Sequence, residues 1–284
     1  MITSTERTGT RYASRTRLFF ATNRDGQYEI YVRSDGVNTR LTNDSRFDSF
    51  WPKLSPDKKK ILFYRTAKGV HDGNYDGAEL WLMNADGTGQ TKIRPKQTNS
   101  WTMQGHVEWS PDGAWLIMMG GIAGGIQAFI TNPSGLNPSQ ITTGTPILDP
   151  TFTSDGKILL VRGNVVTELR DGLYISLYSG PGNHYDPYCS PDGTKIAWLV
   201  NDDPLNPLLW SVWIMERNGL NPRRLTNQSV LSSKPHWGPD GRIYFHRLDY
   251  AAGKPWEIWS MLSDGTDLQP VVTGFGDSEY PDVR

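Results

Sequence analysis

Trp109-Ser-Pro-Asp-Gly113 is one copy of a motif that recurs along this 284-residue chain. The other copies are Leu54-Ser-Pro-Asp57, Phe152-Thr-Ser-Asp-Gly156, Cys189-Ser-Pro-Asp-Gly193 and Trp237-Gly-Pro-Asp-Gly241. Ser-Pro-Asp-Gly has the residues of a type I turn, because Ser caps the first position, Pro presets φ at the second and Gly suits the fourth. A short apolar run follows each copy. The motif therefore predicts a hairpin link between two strands.

A second element recurs between the turns, as a β-rich run that closes on another turn. Its copies are EIYVRSDG (29–36), ELWLMNADG (79–87), QAFITNPSG (127–135), SVWIMERNG (211–219) and EIWSMLSDG (257–265). A short final strand, such as the one at 39–42, follows most copies. Gly and Pro clusters interrupt the apolar runs too often for helices. Four strands per repeat is the composition of a propeller blade.

The two ends of the chain together supply one more blade. Residues 278–284 match the strand that precedes each turn, whereas residues 17–42 supply only the three later strands. The sequence thus predicts an all-β fold, a six-bladed β-propeller of four-stranded antiparallel blades whose ring is closed by N- and C-terminal strands sharing one blade. The predicted blades are 48–94, 103–142, 146–178, 183–226, 232–273, and 278–284 with 17–42. We expect residues 17–284 to form this single domain and residues 1–16 to form a flexible N-terminal arm.

The repeat resembles the TolB-type (WD40-like) propeller repeat family, most closely at 22–32 and 79–87, and the resemblance covers residues 17–284. It implies a periplasmic-type fold known from the Tol–Pal envelope protein, from substrate-gating domains of serine peptidases and from some polysaccharide lyases. The sequence as given shows neither the α/β domain nor the signal peptide of the envelope protein, so we do not expect a Tol–Pal role. It also has no Gly-x-Ser-x-Gly nucleophile elbow, which excludes propeller-gated proteolysis within this chain.

Composition narrows the function classes. Lys and Arg total 29 against 30 Asp and Glu, a net charge of −1, so we expect no nucleic-acid partner. The single cysteine, Cys189, excludes an intramolecular disulfide and a thiolate zinc site. No apolar run reaches the roughly 18 residues of a membrane span, so we expect no membrane insertion, and we expect a monomer. The location stays open: cytoplasmic as written, or periplasmic or secreted if the chain is a mature fragment.

The candidate binding site lies at one mouth of the central channel. In the aligned repeats, the position before the conserved proline varies in chemistry where simple repetition would keep it constant. It holds Trp51, His106 (followed by Val107 in place of proline), Asp149, Asp186, Lys234 and Tyr280, and His184 stands two residues before Asp186. An equally weighted alternative is that Asp149 and Asp186 only accept backbone hydrogen bonds beside the turn.

No cofactor motif is present, but a divalent cation in the channel is a further hypothesis. In this hypothesis His106 and His184 approach each other across blade tips and bind the cation together with a carboxylate. The favoured interpretation is a solvated or hydrogen-bonded role for both histidines. Among the tryptophans, Trp51, Trp101 and Trp256 are the candidates for exposure. Two polar inserts, 67–77 and 201–207, are candidate recognition loops.

Three functions fit these patterns. The leading one is a non-catalytic scaffold that binds a protein or peptide through its channel mouth and blade-tip loops. The alternative is a carbohydrate-active enzyme, a polysaccharide lyase or hydrolase, which would use the channel residues on an oligosaccharide. The third, a subunit of a larger envelope or secretion assembly, overlaps with the first.

Overall fold

Six four-stranded antiparallel sheets make up the computed structural model, which describes residues 16–70, 77–94, 101–203, 205–206, 209–227 and 230–284. The predicted arm at 1–16 lies, except for residue 16, outside the described residues, and so do parts of both predicted recognition loops. Among the described residues, no helix is long and apolar enough to cross a membrane. The sheets are the predicted blades, so the all-β six-bladed propeller is confirmed.

The blades run in chain order. Three strands of the closing blade come first: β1 (Leu18–Thr22), β2 (Glu29–Ser34) and β3 (Val37–Arg40). Blade 1 contains β4 (Phe47–Leu54), β5 (Lys60–Ala67), β6 (Glu79–Asn84) and β7 (Thr91–Arg94), and blade 2 contains β8 (Gln104–Trp109), β9 (Leu116–Ile122), β10 (Gly125–Thr131) and β11 (Ser139–Gln140). Blade 3 contains β12 (Ile147–Phe152), β13 (Ile158–Arg162), β14 (Val165–Arg170) and β15 (Leu173–Tyr178).

Blade 4 contains β16 (Asn183–Cys189), β17 (Lys195–Asn201), β18 (Trp210–Glu216) and β19 (Arg223–Arg224). Blade 5 contains β20 (Leu231–Trp237), β21 (Ile243–Leu248), β22 (Glu257–Met261) and β23 (Gln269–Val272), and β24 (Ser278–Val283) ends the chain. Strand β24 pairs antiparallel with β1, with Leu18 opposite Val283 and Thr22 opposite Ser278. The C-terminal strand thus completes the closing blade, as predicted, and covers the inner edge of β1.

The Ser-Pro-Asp-Gly segments form the predicted hairpin turns. In blade 2 the Gly113 N–H donates to the Ser110 carbonyl at 2.9 Å, and Gly113 takes a φ of 73°. The Ser110 hydroxyl donates to Asp112 and accepts the Trp115 N–H at 2.9 Å. The side chain therefore caps both ends of the turn, which explains why the motif favours a hydroxyl residue at its first position.

Tryptophans and other apolar side chains fill the spaces between blades. The Trp109 indole N–H donates to the Lys53 carbonyl of the preceding blade at 3.1 Å, and Trp237 makes the same bond to Tyr188 at 3.1 Å. The expectation of exposure was wrong for Trp51 and Trp101, which are 3% and 4% exposed. Trp101 is covered by the ring of Phe129, whose centroid lies 4.3 Å away.

Candidate functional site

A bulge in each innermost strand sets the shape of the channel. In all six blades the ladder between the innermost strand and its neighbour slips by one residue at the same place, so that two residues oppose one. The first residue of each bulge is non-glycine yet has a positive φ, between 46° and 55°. These six residues are Trp51, His106, Asp149, Asp186, Lys234 and Tyr280, and we call them the upper ring.

Left-handed backbone at a non-glycine residue costs about 1–3 kcal/mol, and bulges serve to re-aim side chains. The proline that follows five of the six positions fits the bulge, because it has no N–H that the interrupted ladder would leave unpaired. The structure thus brings together six of the seven predicted site residues.

The aromatic half of the upper ring is tightly packed. The rings of Trp51 and Tyr280 stack at a centroid distance of 5.1 Å and an angle of 25°. The imidazole of His106 meets Trp51 edge-on at 5.2 Å, and the Lys234 ammonium lies 4.4 Å from the Trp51 ring centroid. Residues from blades 1, 2, 5 and the closing blade are therefore in mutual contact, and their side chains close the channel at this level.

The charged half of the upper ring centres on His106. Its Nδ1 lies 3.2 Å from Asp149 Oδ1 and 3.5 Å from Asp186 Oδ1. Asp186 also contacts the Lys234 ammonium, at 2.9 Å from Oδ2, while its backbone N–H donates to Asp149 Oδ2 at 3.0 Å. His106 and Asp186 are fully buried. The alternative interpretation was that Asp149 and Asp186 only accept backbone hydrogen bonds. Asp149 does accept one, from the Asp186 N–H, but both aspartates also contact the His106 imidazole.

The pKa values of the two aspartates are shifted in opposite directions. Burial alone would raise the pKa of Asp149, but the imidazole of His106 and the ammonium of Lys234 outweigh it and hold that pKa at about 2. Burial, and then the negative charge of Asp149, raise the pKa of Asp186. Two carboxylates held this close compete for the same neighbouring positive charge.

His184 lies apart from the upper ring. Its Nε2 contacts the Gly180 carbonyl at 3.1 Å, and its Nδ1 accepts the Trp198 indole N–H at 3.3 Å. The imidazole also lies edge-on to the ring of Tyr178, 5.3 Å away. The structure therefore does not pair His184 with His106: blade 3 lies between their strands, and His184 is a hydrogen-bonded residue of the packed interior.

A second layer of polar residues, which sequence reasoning missed, lies below the upper ring. We call it the lower ring; it contains Lys53, Glu108, Thr151, Tyr188, His236 and Asp282, each two residues after an upper-ring residue. The Lys53 ammonium lies 2.6 Å from Glu108 Oε1 and donates to the Tyr188 hydroxyl at 2.9 Å. His236 Nε2 lies 3.1 Å from Asp282 Oδ1. The signal was present in the aligned repeats as a second position with varied, mostly ionisable residues.

The carboxylates of the lower ring depend on positive charge from within the ring and from outside it. Burial would raise the pKa of Glu108, but the charges of Lys53, His106 and His236 lower it overall. Burial likewise opposes ionisation of Asp282, yet Arg284 and His236 lower the pKa of this carboxyl. Burial lowers the pKa of His236 despite the nearby Asp282. Both carboxylates are therefore held ionised by partners inside the channel.

Above the upper ring the channel opens into a cavity of about 550 Å³, which we call the funnel. Apolar and aromatic side chains form its wall: Met103, Met119, Ile126, Leu148, Tyr185, Leu199, Trp210, Leu231, Tyr250 and Trp256. Asp149, Asp186, Lys234 and Tyr280 of the upper ring contribute its polar residues, together with His246 and Glu279. Sequence reasoning gave His246 little weight, yet it lines the funnel beside Trp256, at a ring distance of 4.5 Å.

A smaller cavity of about 330 Å³ opens at the other mouth, on the side of the Ser-Pro-Asp-Gly turns. Glu108, Tyr188 and His236 of the lower ring line it, as do turn residues such as Ser154 and Pro191. The two rings separate the cavities. The molecule therefore presents two unlike mouths, and of these two cavities the funnel is the one that upper-ring residues line.

Comparison with known proteins supports the fold. No family model matches the chain. Among solved structures, TolB from Acinetobacter baumannii matches with a TM-score of 0.76 and 17% identity, over 95% of this chain and 66% of that one. The putative TolB from Agrobacterium tumefaciens matches with a TM-score of 0.63 and 20% identity, over 95% and 98% of the two chains. The chain has a TolB-like propeller fold.

Other similarities are more limited. An uncharacterized protein of Agrobacterium fabrum is 31% identical over 98 residues, which are 34% of this chain and 33% of that protein. The chain thus matches about a third of that curated relative. An oligogalacturonate lyase from Vibrio parahaemolyticus matches with a TM-score of 0.52 and 13% identity, over 90% of this chain and 72% of that one. A chain of a nidogen/laminin complex matches with a TM-score of 0.70 and 9% identity, over 94% of this chain and 98% of that one.

Proposed function

We propose that this chain is a non-catalytic recognition module that binds a peptide segment of a partner protein in the funnel. The observation that carries the proposal is the funnel itself: about 550 Å³ of concave space with an apolar, aromatic wall above a few charged groups. Binding pockets combine these features, because apolar area supplies affinity and a few polar groups fix orientation.

The wall offers anchors of the kind that dominate protein recognition. Tyr185 and Trp210 pack against each other at 5.1 Å on one side, and Trp256 packs on His246 on another. Aromatic residues that are held in place lose little conformational entropy when a ligand arrives, and they are enriched at binding hot spots. The packed upper ring lies at the base of the funnel, so an apolar side chain that enters the funnel would contact both the aromatic wall and the ring residues.

The similar folds favour binding without deciding its target. The matched propellers occur in a protein–protein complex, in TolB structures and in an oligogalacturonate lyase. Several tasks are thus compatible with one scaffold, and the argument for this chain rests on its own funnel.

A carbohydrate-active enzyme is the second candidate. It is supported by the buried imidazole of His106 beside two carboxylates and by the similar fold of the oligogalacturonate lyase. The charge of the funnel disfavours an anionic uronate substrate, because the carboxylates of Asp149, Asp186 and Glu279 line it together with one ammonium. That ammonium belongs to Lys234. Incubation of the full chain with oligogalacturonate and with neutral oligosaccharides, followed by product chromatography, distinguishes the two. Turnover that is lost in Asp149→Asn would favour the enzyme.

A matched pair of substitutions tests the proposed site. Ser233 lines the funnel and Ser154 lines the opposite cavity, and neither is buried. Peptides would be selected from a random displayed library on the full chain, and their dissociation constants measured for the wild type, Ser233→Trp and Ser154→Trp. We expect Ser233→Trp to raise the Kd at least tenfold, about 1.4 kcal/mol, because the indole fills the funnel.

Ser154→Trp controls for the bulk of the new side chain and should leave the Kd within about twofold. Both variants should melt within a few degrees of the wild type. The proposal fails if no peptide binds the wild type above background, or if Ser154→Trp weakens binding as much as Ser233→Trp does.

A further inference from the structure

The charged half of the upper ring has the geometry of a metal site, and hydrogen bonds alone do not account for the contacts of His106. His106 is fully buried, and among the residues that the structure describes neither of its ring nitrogens has a hydrogen-bond partner of acceptable geometry. Its Nδ1 instead faces two carboxylate oxygens at once, at 3.2 and 3.5 Å, and its Nε2 is 4.0 Å from Glu108. One N–H can serve one acceptor well, so a histidine–aspartate hydrogen bond would use only one of the two carboxylate oxygens that face Nδ1.

The distances fit three ligands of one ion. Zinc lies about 2.1 Å from nitrogen and oxygen ligands, so two ligands in a tetrahedral site are separated by about 3.4 Å. The donor atoms of His106, Asp149 and Asp186 all lie within 4.8 Å of one another. The distances from His106 Nδ1 to the Asp149 and Asp186 oxygens, 3.2 and 3.5 Å, lie on either side of the tetrahedral separation of about 3.4 Å.

The surroundings orient these donors as an outer shell would. The second oxygen of Asp149 accepts the Asp186 N–H at 3.0 Å, and the Lys234 ammonium contacts both oxygens of Asp186, at 2.9 Å from Oδ2 and 3.2 Å from Oδ1. In metal sites such contacts fix the ligating carboxylates and tune their affinity. All three residues also have positive φ values, so the strained bulges aim each of them at the same point.

We propose that His106, Asp149 and Asp186 bind a divalent first-row metal ion, Mn²⁺ or Zn²⁺, at the base of the funnel. One imidazole and two carboxylates suit these ions better than Mg²⁺ or Ca²⁺, which prefer all-oxygen sites. The two carboxylates neutralise the ion. Because Asp149 and Asp186 also line the funnel, the remaining coordination positions face it. This inference does not depend on the peptide-binding proposal.

Titration calorimetry of the full chain, freed of metal by EDTA and dialysis, tests the site with MnCl₂, ZnCl₂ and MgCl₂ as separate probes. We expect one Mn²⁺ or Zn²⁺ per chain and much weaker uptake of Mg²⁺. Asp149→Asn and Asp186→Asn keep the shape of the side chain but remove its charge, and each should raise the Kd at least about 100-fold.

Asp282→Asn is the matched control. Asp282 is also a buried aspartate beside an imidazole, that of His236, but it belongs to the lower ring. The control should bind the ion with an affinity within about twofold of the wild type. The proposal is overturned if the wild type takes up neither Mn²⁺ nor Zn²⁺ stoichiometrically, or if Asp186→Asn binds the ion as well as the wild type.

A measurement on the wild type keeps the proposal testable even if the asparagine variants do not fold. In the ¹⁵N spectrum of histidine-labelled protein, Zn²⁺ should shift the ring-nitrogen signals of one of the five histidines. Unshifted signals for all five at saturating Zn²⁺ would contradict an imidazole ligand.

Discussion

The upper and lower rings occupy equivalent positions in the same six strands, yet they are held together differently. The lower ring pairs its groups within the ring, the Lys53 ammonium with the Glu108 carboxylate and the His236 imidazole with the Asp282 carboxylate. The upper ring places two carboxylates against one imidazole, in strained backbone, next to the larger cavity. Paired charges stabilise a core, whereas strained and incompletely paired groups mark sites of function. On this comparison we propose that the lower ring supports the channel and the upper ring binds.

Removing Lys53 should give the largest effect, because it breaks the support ring. Lys53→Met leaves the buried Glu108 carboxylate without its ammonium, and breaking a buried ion pair from one side costs about 3–5 kcal/mol. Urea unfolding at neutral pH measures the loss. The exposed Lys59, whose ammonium lies 3.9 Å from Asp57, supplies the matched control Lys59→Met, which should change stability by less than about 0.5 kcal/mol.

A double variant sharpens that result. Lys53→Met with Glu108→Gln removes the buried charge as well, and it should recover part of the lost stability because an uncharged amide costs less to bury than a lone carboxylate. A Lys53→Met variant as stable as Lys59→Met would show that the lower ring does not support the fold.

The buried histidines should make the free energy of unfolding depend on pH. Burial, and then the Lys234 ammonium, lower the pKa of His246 well below its ordinary value of 6.5. The unfolded chain therefore binds more protons below pH 6.5, and stability falls as the pH falls through this window, by up to about 1.4 kcal/mol per pH unit for one proton.

Asparagine at position 246 removes this titration while its carboxamide oxygen can replace the ring nitrogen that accepts the Tyr280 N–H at 3.3 Å. His246→Asn should flatten the slope below pH 6.5 more than His236→Asn does, because Asp282 partly offsets the burial of His236. Denaturant unfolding from neutral to mildly acid pH measures both slopes. Equal slopes in the wild type and His246→Asn would contradict the predicted burial effect.

The smallest effect on stability should come from the upper ring itself. In metal-free protein, Asp186→Asn relieves its repulsion with Asp149, while Lys234, whose side chain is 27% exposed, regains contact with water. We expect the free energy of unfolding to change by less than about 1 kcal/mol, in contrast to Lys53→Met. Calorimetric melting in EDTA measures it. A loss as large as that of Lys53→Met would mean that both rings are structural.

The repeats made the fold and the position of the upper ring predictable. Turn chemistry at Ser-Pro-Asp-Gly fixes the hairpins locally, and the match of 278–284 to the other innermost strands showed how the ring closes. Aligning the prolines then placed six variable residues at one level. These inferences need only local propensity and register, which a single sequence contains.

The bulge in each innermost strand determines which side chains point into the channel, and the alignment of the repeats could not predict this. Simple alternation puts His184 and Asp186 on the same face of a strand, but the bulge at Asp186 turns that side chain into the channel and leaves His184 against Trp198. Similarly, the contacts of His106 with Asp149 and of Lys53 with Tyr188 join different blades. Such contacts depend on how far side chains reach across the channel, which sequence spacing does not encode.

Methionine methyl groups provide the most direct test of binding in the funnel. Met103 and Met119 line it, whereas Met83, Met215 and Met261 pack elsewhere in the core. In methyl-¹³C-methionine spectra, a selected peptide should shift the signals of Met103 and Met119 and leave the other three unchanged. Binding that leaves Met103 and Met119 unshifted would place the peptide outside the funnel and contradict the account.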